Sequence, residues 1–275
     1  MLADAAPIRA AALMVGHVTI DRFDDGREAL GGAALYGGLL YARAGLETAV
    51  ITAGDPDELA DRMGVLADEL DVLVHPAPSL TTFGLSGSGA GRVLRVLERA
   101  PDVPVVDVEA GIVHLGPVAA EIGPEWSHQD GLVGLTPQGL IRRWGEDGII
   151  HLYRRPGLEE FRVGAVVMDE QEATCAPVLA DSWRNGAVVA ITRGDGPASV
   201  RRGDEHLEAP ALEVRAVDDT GAGDVFAAAL LVALSEDSTL PDAVRFAHAA
   251  AGLHVEGLGP GTVPTRAAIE ARLGS

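Results

Sequence analysis

A chain of 275 residues with 47% hydrophobic and 23% charged residues can bury a sizeable core, which excludes wholesale disorder. Its 41 acidic residues against 21 basic ones leave a net charge of −20, so nucleic acid and anionic membrane surfaces are poor partners. All 21 basic residues are arginine, which removes Schiff-base lysine chemistry and a Walker A loop together.

In chain order, Ala12 to Ile20 reads as the first strand, followed by the acidic loop from Asp21 to Glu28 and the pair Gly31-Gly32. Ala33 to Ala44 reads as a helix with Gly45 as its C-terminal cap, Thr48 to Thr52 as a buried strand, and Pro56 to Leu70 as an amphipathic helix. Between about 76 and 99 the pattern changes. Thr81-Thr82-Phe83, a Gly/Ser-rich turn over 84–91 and Val93 to Leu97 predict a β-hairpin, a small excursion or lid. Short apolar strands resume at Val105 to Asp107, Gly111 to Leu115, Leu132 to Leu135, Ala165 to Met168 and Ala187 to Thr192, with helical stretches between. Helices over 225–234, 243–255 and 265–273 close the chain. Alternation of strand and helix argues for one doubly wound, mostly parallel α/β domain over 1–275, with a small β lid from about 21–32 and 76–99.

The single cysteine, Cys175, excludes an internal disulfide and a cysteine metal cluster, and none of the eight histidines falls in an HExxH pattern. No apolar run approaches a membrane span and the N-terminal apolar stretch is too short for a signal peptide, so a cytoplasmic protein is expected.

The most informative stretch is Asp218-Asp219-Thr220-Gly221-Ala222-Gly223-Asp224, which runs straight into an apolar helix. Glycines let a substrate approach the backbone closely, and amides at a helix start bind an anion. Such donors can stabilise a phosphoryl group in transfer without a lysine, and Asp224 in the first turn can accept the proton of an attacking hydroxyl. An acidic residue in a first turn is also favourable for the helix dipole alone. The helix that follows is apolar all round, so it must be central and buried, with an acidic end that opens onto something polar.

This stretch resembles the D-T-x-G-A-G-D signature of the pfkB, or ribokinase-like, carbohydrate kinase family. Gly16 to Asp21 is similar to the family's first strand with its substrate-binding Asp, and Gly31-Gly32 to its di-glycine. Val166 to Glu172 resembles the strand and N-x-x-E motif, Thr192 to Gly196 the turn beneath the nucleotide, and Phe246 to Leu253 the helix bordering adenine. The resemblance implies the ribokinase-like fold and an ATP- and Mg²⁺-dependent kinase. Its acceptor would be a hydroxyl of a small sugar, a polyol such as inositol, or a nucleoside. In that reading Asp224 is the base and Gly221, Ala222 and Gly223 form the anion hole. Asp21, Gly31, Gly32, Tyr36 and His17 face the substrate, with a His17 satisfied by backbone as an equal alternative, and Thr192, Gly194, Gly196, Thr220 and His248 line the nucleotide. Asp169 and Glu172 position Mg²⁺ through water. Asp218 and Thr220 fall where many members hold a monovalent cation such as K⁺. Family analogy adds a homodimer through the lid. The chain departs from the pattern where Asp169 and Tyr36 stand in place of family asparagines.

The remaining residues read more plainly. His114 stands at a strand end, where α/β ligands sit, but reads first as a loop histidine; Arg142-Arg143 and Arg154-Arg155 read as solvated or salt-bridged side chains, with an anion clamp as the alternative. A dinucleotide oxidoreductase would need G-x-G-x-x-G on the first strand–helix turn, where GHVTID stands. The cluster Gly87 to Gly91 has Arg92 at the third glycine's position, and neither Ser86 nor Ser88 has the G-x-S-x-G flanks of a hydrolase. A non-catalytic nucleotide- or sugar-binding protein on the same scaffold is the alternative.

Overall fold

Parallel strands need crossovers and bury both faces, and the chain's apolar strand runs supply what such a sheet requires. In the computed structural model, residues 7–87 and 93–274 are described. The strands are β1 (Ile8–Val15), β2 (Thr19–Phe23), β3 (Glu28–Gly31), β4 (Thr48–Gly54), β5 (Asp71–Pro76), β6 (Thr81–Ser86), β7 (Val93–Glu98), β8 (Val108–Leu115), β9 (Leu132–Leu135), β10 (Arg142–Arg143), β11 (His151–Leu152), β12 (Ala165–Asp169), β13 (Val188–Thr192), β14 (Ala198–Arg202) and β15 (Glu205–Ala209). The helices are α1 (Ala33–Arg43), α2 (Pro56–Met63), α3 (Glu170–Cys175), α4 (Pro177–Ala180), α5 (Ala222–Ser235), α6 (Leu240–Val255) and α7 (Arg266–Gly274).

The main sheet runs β15-β14-β13-β12-β9-β8-β1-β4-β5. Every neighbouring pair from β5 to β13 is parallel, and β14 and β15 add an antiparallel edge. From β1 the chain builds outward to β4 and β5, then crosses back to lay down β8, β9 and β12 on the other side. The β1/β8 boundary is therefore the switch point, and open α/β sheets bind ligands beyond the carboxyl ends of the strands there.

The two faces are covered unequally. One packs against α1, α5 and α6, with α5 in the middle and buried from Val225 to Ala233. The other is closed by α3, α4 and 3-10 turns around Trp126, Leu140 and Leu158. A second sheet, β3-β2-β6-β7, leaves the main one between Val15 and Thr19, and its β7 also bonds to the Gly148–Ile150 stretch.

Several expected boundaries move for local reasons. The strand expected from Ala12 to Ile20 is two strands, because the chain turns at Gly16 from the main sheet into the second one. The helix expected to reach Leu70 ends at Met63, where Gly64 takes φ +51° and a 3-10 turn follows. Val105 to Asp107 is not a strand, since Pro101 and Pro104 interrupt the backbone donors just before β8. The helical stretches expected between β8 and β12 are 3-10 turns and the β10–β11 ribbon. Residues 88–91 of the expected Gly/Ser turn lie outside the described residues.

Candidate active site

Two helices start at glycine with no side-chain cap: α1 after Gly32 and α5 after Gly221. Uncapped first-turn amides sit at the positive end of a helix dipole and leave donors for an anion. Ala222 N–H is already given to the Asp219 carbonyl at 3.1 Å, which leaves Gly223 and Asp224 as the α5 amides with no carbonyl inside the helix to reach. Gly221 takes φ +82°, and a Cβ on it would stand 2.6 Å from the Tyr36 ring. Tyr36, expected to face substrate, is instead the buried floor beneath this loop, and burial with the charges of Asp218, Asp21 and Asp224 pushes its phenol well up. Gly221→Ala combines a left-handed alanine, about 1–2 kcal/mol, with that clash. It is expected to lower the melting temperature by several degrees and to cost turnover at least tenfold. A variant that melts and turns over like the wild type would refute this account of the loop.

Asp224 follows in the first turn of α5. Burial, then the negative charge of Glu172, raises its pKa to about 7 against the opposing pull of Arg142. Glu172 is likewise raised to about 7, by burial and then by Asp169, with the Asp169 amide, Arg142 and Gln138 pulling the other way. Arg142 is the cation that these acids share. Burial lowers its pKa, while Glu172, Asp224, Glu121 and Asp21 all favour its charged form. Its Nη1 donates to the Val118 carbonyl at 3.0 Å and its guanidinium lies 5.7 Å from the Phe83 ring centre, so it also ties β10 to the second sheet. Of the two readings of Arg142, the solvated one is thus corrected: the side chain is a cation shared among acids. The sequence offered only an Arg-Arg pair, and the acids that surround it come from distant parts of the chain.

Asp169 and Glu172 form a reciprocal capping box on α3. Asp169 Oδ1 accepts Glu172 N–H at 2.7 Å, and Glu172 Oε2 accepts Asp169 N–H at 2.9 Å. Each carboxylate keeps an oxygen for other partners. Among the described residues no group of three or more His, Cys, Asp or Glu side chains gathers with metal-site geometry. Thr192 lies beside Asp169 in the β12/β13 register and leads into the Arg193–Gly196 turn, which Arg193 pins to Glu170 at 2.7 Å and Glu208 at 3.1 Å. His248, on α6, stands edge-on to Phe226 at 5.0 Å, bonds to the Ala209 backbone and leaves Nε2 buried with no partner.

At the acceptor end Gly31 lies close against Asp21, since a Cβ on it would meet Asp21 Oδ2 at 2.9 Å. Gly32 takes φ +92° and abuts the His17 carbonyl. His17 itself does not face a ligand. It is fully buried, with Nε2 2.9 Å from the Pro101 carbonyl and Nδ1 2.8 Å from the Thr81 hydroxyl. The expectation of a substrate contact is corrected to a pin at the junction of the two sheets. Glu121, which sequence reading passed over, completes that pin. Buried at 0% exposure, it accepts the amides of His17 (3.0 Å), Val118 (2.9 Å) and Ala119 (2.7 Å). His114 is also no loop residue. It is buried on β8, 2.9 Å from the Tyr41 hydroxyl, and burial drives its pKa down to about 3.

Comparison with known proteins falls on the same residues. The family model "pfkB family carbohydrate kinase" matches residues 158–266, the stretch holding Asp169, Glu172, the 192–196 turn, the 218–224 loop and His248. Over that stretch the chain matches the pfkB carbohydrate kinase family. The bifunctional protein HldE of Halorhodospira halophila is 32% identical over 94% of the chain and 58% of its own length. The chain spans 29% to 58% of the lengths of the leading curated relatives it matches. A pyrophosphate-dependent kinase in the ribokinase family, complexed with a pyrophosphate analogue and myo-inositol, superposes with a TM-score of 0.78 at 22% identity, covering 94% of this chain and 99% of that one. Ribokinase of Arabidopsis thaliana, complexed with ribose and ATP, gives 0.73 at 18%, covering 98% and 99%. The fold is therefore the ribokinase fold, as the 218–224 motif implied. No helix is long and apolar enough to cross a membrane among the described residues.

Proposed function

We propose that this chain transfers a phosphoryl group from ATP to a hydroxyl of a small sugar, a polyol such as an inositol, or a nucleoside. One observation carries the reading: a single helical turn joins an uncapped glycine N-terminus to a carboxyl, Asp224, whose pKa is raised to about 7. Asp224 takes the proton of the acceptor hydroxyl as its oxygen attacks the γ-phosphorus. The bond from that phosphorus to the β,γ-bridging oxygen breaks, and ADP leaves. The α5 amides stabilise the charge on the transferring group, which needs no lysine. Asp21, with the close-lying Gly31 and Gly32, receives acceptor hydroxyls, and the second sheet closes over them as a lid. The Thr192–Gly196 turn takes the donor's phosphates, and the α6 segment that carries His248 borders the base. A silent binding protein has no use for a carboxyl desolvated beside an anion site, which argues against the non-catalytic alternative.

The site is short of positive charge. Glu172, Asp224, Glu121 and Asp21 share Arg142, and Asp169 adds a further carboxylate beside Glu172, so a polyphosphate needs a counter-ion, and hard carboxylate oxygens suit Mg²⁺. Asp169 and Glu172 would hold it through water, since each already gives an oxygen to the other's backbone. When bound, the ion would neutralise charge on the phosphate oxygens.

The direct test is ADP release with Mg²⁺ across pentoses, hexoses, inositols and nucleosides, with pyrophosphate as a second donor because one matched neighbour uses it. An acceptor-dependent signal abolished by EDTA is expected. ATP binding with no turnover on any acceptor and from either donor would sink the kinase reading.

A further inference from the structure

Behind the Gly221–Gly223 loop the residues do not fit a monovalent cation. Such an ion needs several oxygens turned together on one point, and the oxygens here are each turned toward one of the chain's own donors. Asp218 Oδ1 accepts Thr220 N–H at 3.0 Å and Oδ2 accepts Gly259 N–H at 3.4 Å. The Val255 carbonyl takes the amides of Val217 at 2.7 Å and Asp218 at 3.3 Å. The Thr220 carbonyl lies 2.8 Å from His254 Nε2; a carbonyl only accepts, so that nitrogen carries the proton. Nδ1 of the same ring is 2.8 Å from the Thr262 hydroxyl, which also touches the Gly259 carbonyl at 2.8 Å. The facing loop is gathered by a permanent cation. Arg43, from the end of α1, donates through Nη1 to the carbonyls of Gly261 at 3.0 Å and Val263 at 2.6 Å, with Pro260 at 3.4 Å.

We propose that His254 and Arg43 do internally what a bound monovalent cation would do, fixing the loop in front of α5, so that this chain binds and requires no such ion. The inference rests on the reading of 221–224 as the phosphoryl site. His254 acts on that site along two routes. Its N–H holds the carbonyl of the residue before Gly221, and its ring stands edge-on at 5.3 Å to Tyr36, the floor on which Gly221 rests. The ring is buried at 1% exposure, and burial holds its pKa below the ordinary value, which favours the neutral ring, while the Thr220 carbonyl places its one proton on Nε2. His254 is therefore a positioning residue.

The test compares potassium chloride with choline chloride at equal ionic strength, read by thermal melting without substrates and by turnover with them. Wild-type melting and turnover are expected to be the same in both salts. A potassium-dependent rise in melting temperature, or activation of about fivefold or more, the lower end of ordinary coupling between sites, would overturn the proposal. His254→Ala bares the Thr220 carbonyl, and is expected to lose kcat with nucleotide KM held and to gain stability and turnover from potassium. His254→Gln, whose amide N–H can reach the same carbonyl, is expected to stay indifferent to potassium and to keep most of the activity. His254→Ala turning over as fast as wild type in choline chloride would also overturn it. Should the Ala variant fail to fold, the wild type and the Gln variant decide. Melting needs no acceptor, so failure of the kinase reading leaves this comparison intact.

Discussion

Asp224→Asn is expected to lower kcat by about 10² to 10⁴, the usual worth of a positioned base, while ATP affinity stays within a few-fold of wild type. Asn matches the carboxyl in shape, so the α5 amides keep their geometry and only the proton acceptor is lost. The same variant makes a stability prediction of definite sign. Asp224 binds its proton more tightly in the folded chain, at about 7, than the ordinary 3.8 of an unfolded carboxyl. The folded state therefore holds more protons across that window, and its stability falls as pH rises from about 3.8 through 7. Glu172, raised from 4.5 to about 7, pushes in the same direction. Asp224→Asn removes one of these two penalties, so at pH 8 it should melt above wild type, and near pH 3 the two should converge. Circular dichroism melts at both pH values check this. A variant less stable than wild type at pH 8 would show that the ionised carboxyl contributes to the fold, and a variant with unimpaired turnover would remove it from the mechanism.

The parts of this site that could be read in the sequence are those encoded locally. Gly221 to Asp224 is a run whose backbone freedom, dipole and acid all lie within one helical turn, and the apolar stretch behind it announced a buried helix. The strands at Leu132 to Leu135 and Ala165 to Asp169 were legible for the same reason, since burial on both faces writes a continuous apolar run. What escaped depends on contacts across long sequence separations. His17 looked like a ligand because it ends a strand at the ligand-binding edge. Its partners Thr81 and Pro101, which occupy both ring nitrogens, come from the start of β6 and the segment after β7, 64 and 84 residues away in the chain. Tyr36 stood where the family has an acceptor contact, but only the approach of α5 to α1 shows that its ring underlies Gly221. Asp169 and Glu172 read as a metal pair, and their spacing is equally that of a capping box, which the structure displays. The stretch from Gly116 to Arg143 misled most. It carries no helical period, and its Pro and Gly residues make turns that set Glu121, Gln138 and Arg142 beside the acids.

Arg142→Met gives the sharpest test of that last group. The guanidinium is a positive charge that acts on Asp21, Glu121, Glu172 and Asp224 together, and methionine keeps much of its packing against Phe83 without the charge. An opposite charge at close range holds a carboxyl's pKa down by about one to three pH units, so its loss should let the Asp224–Glu172 pair rise above about 7. The two acids interact, so the rise belongs to the pair and not to one member. Because a base must be ionised to act, kcat/KM in the wild type should climb with pH through about 7. In Arg142→Met that limb should move to higher pH by about one to three pH units, with activity at pH 7 reduced and partly restored at pH 9. Glu172→Gln removes the neighbouring negative charge and should move the limb the other way, below that of the wild type. These opposite displacements separate an electrostatic role from general damage, which would lower the whole profile without shifting it. If Arg142→Met raised KM alone and left the limb in place, the arginine would serve to bind a substrate anion and the shared-charge account of the site would fall.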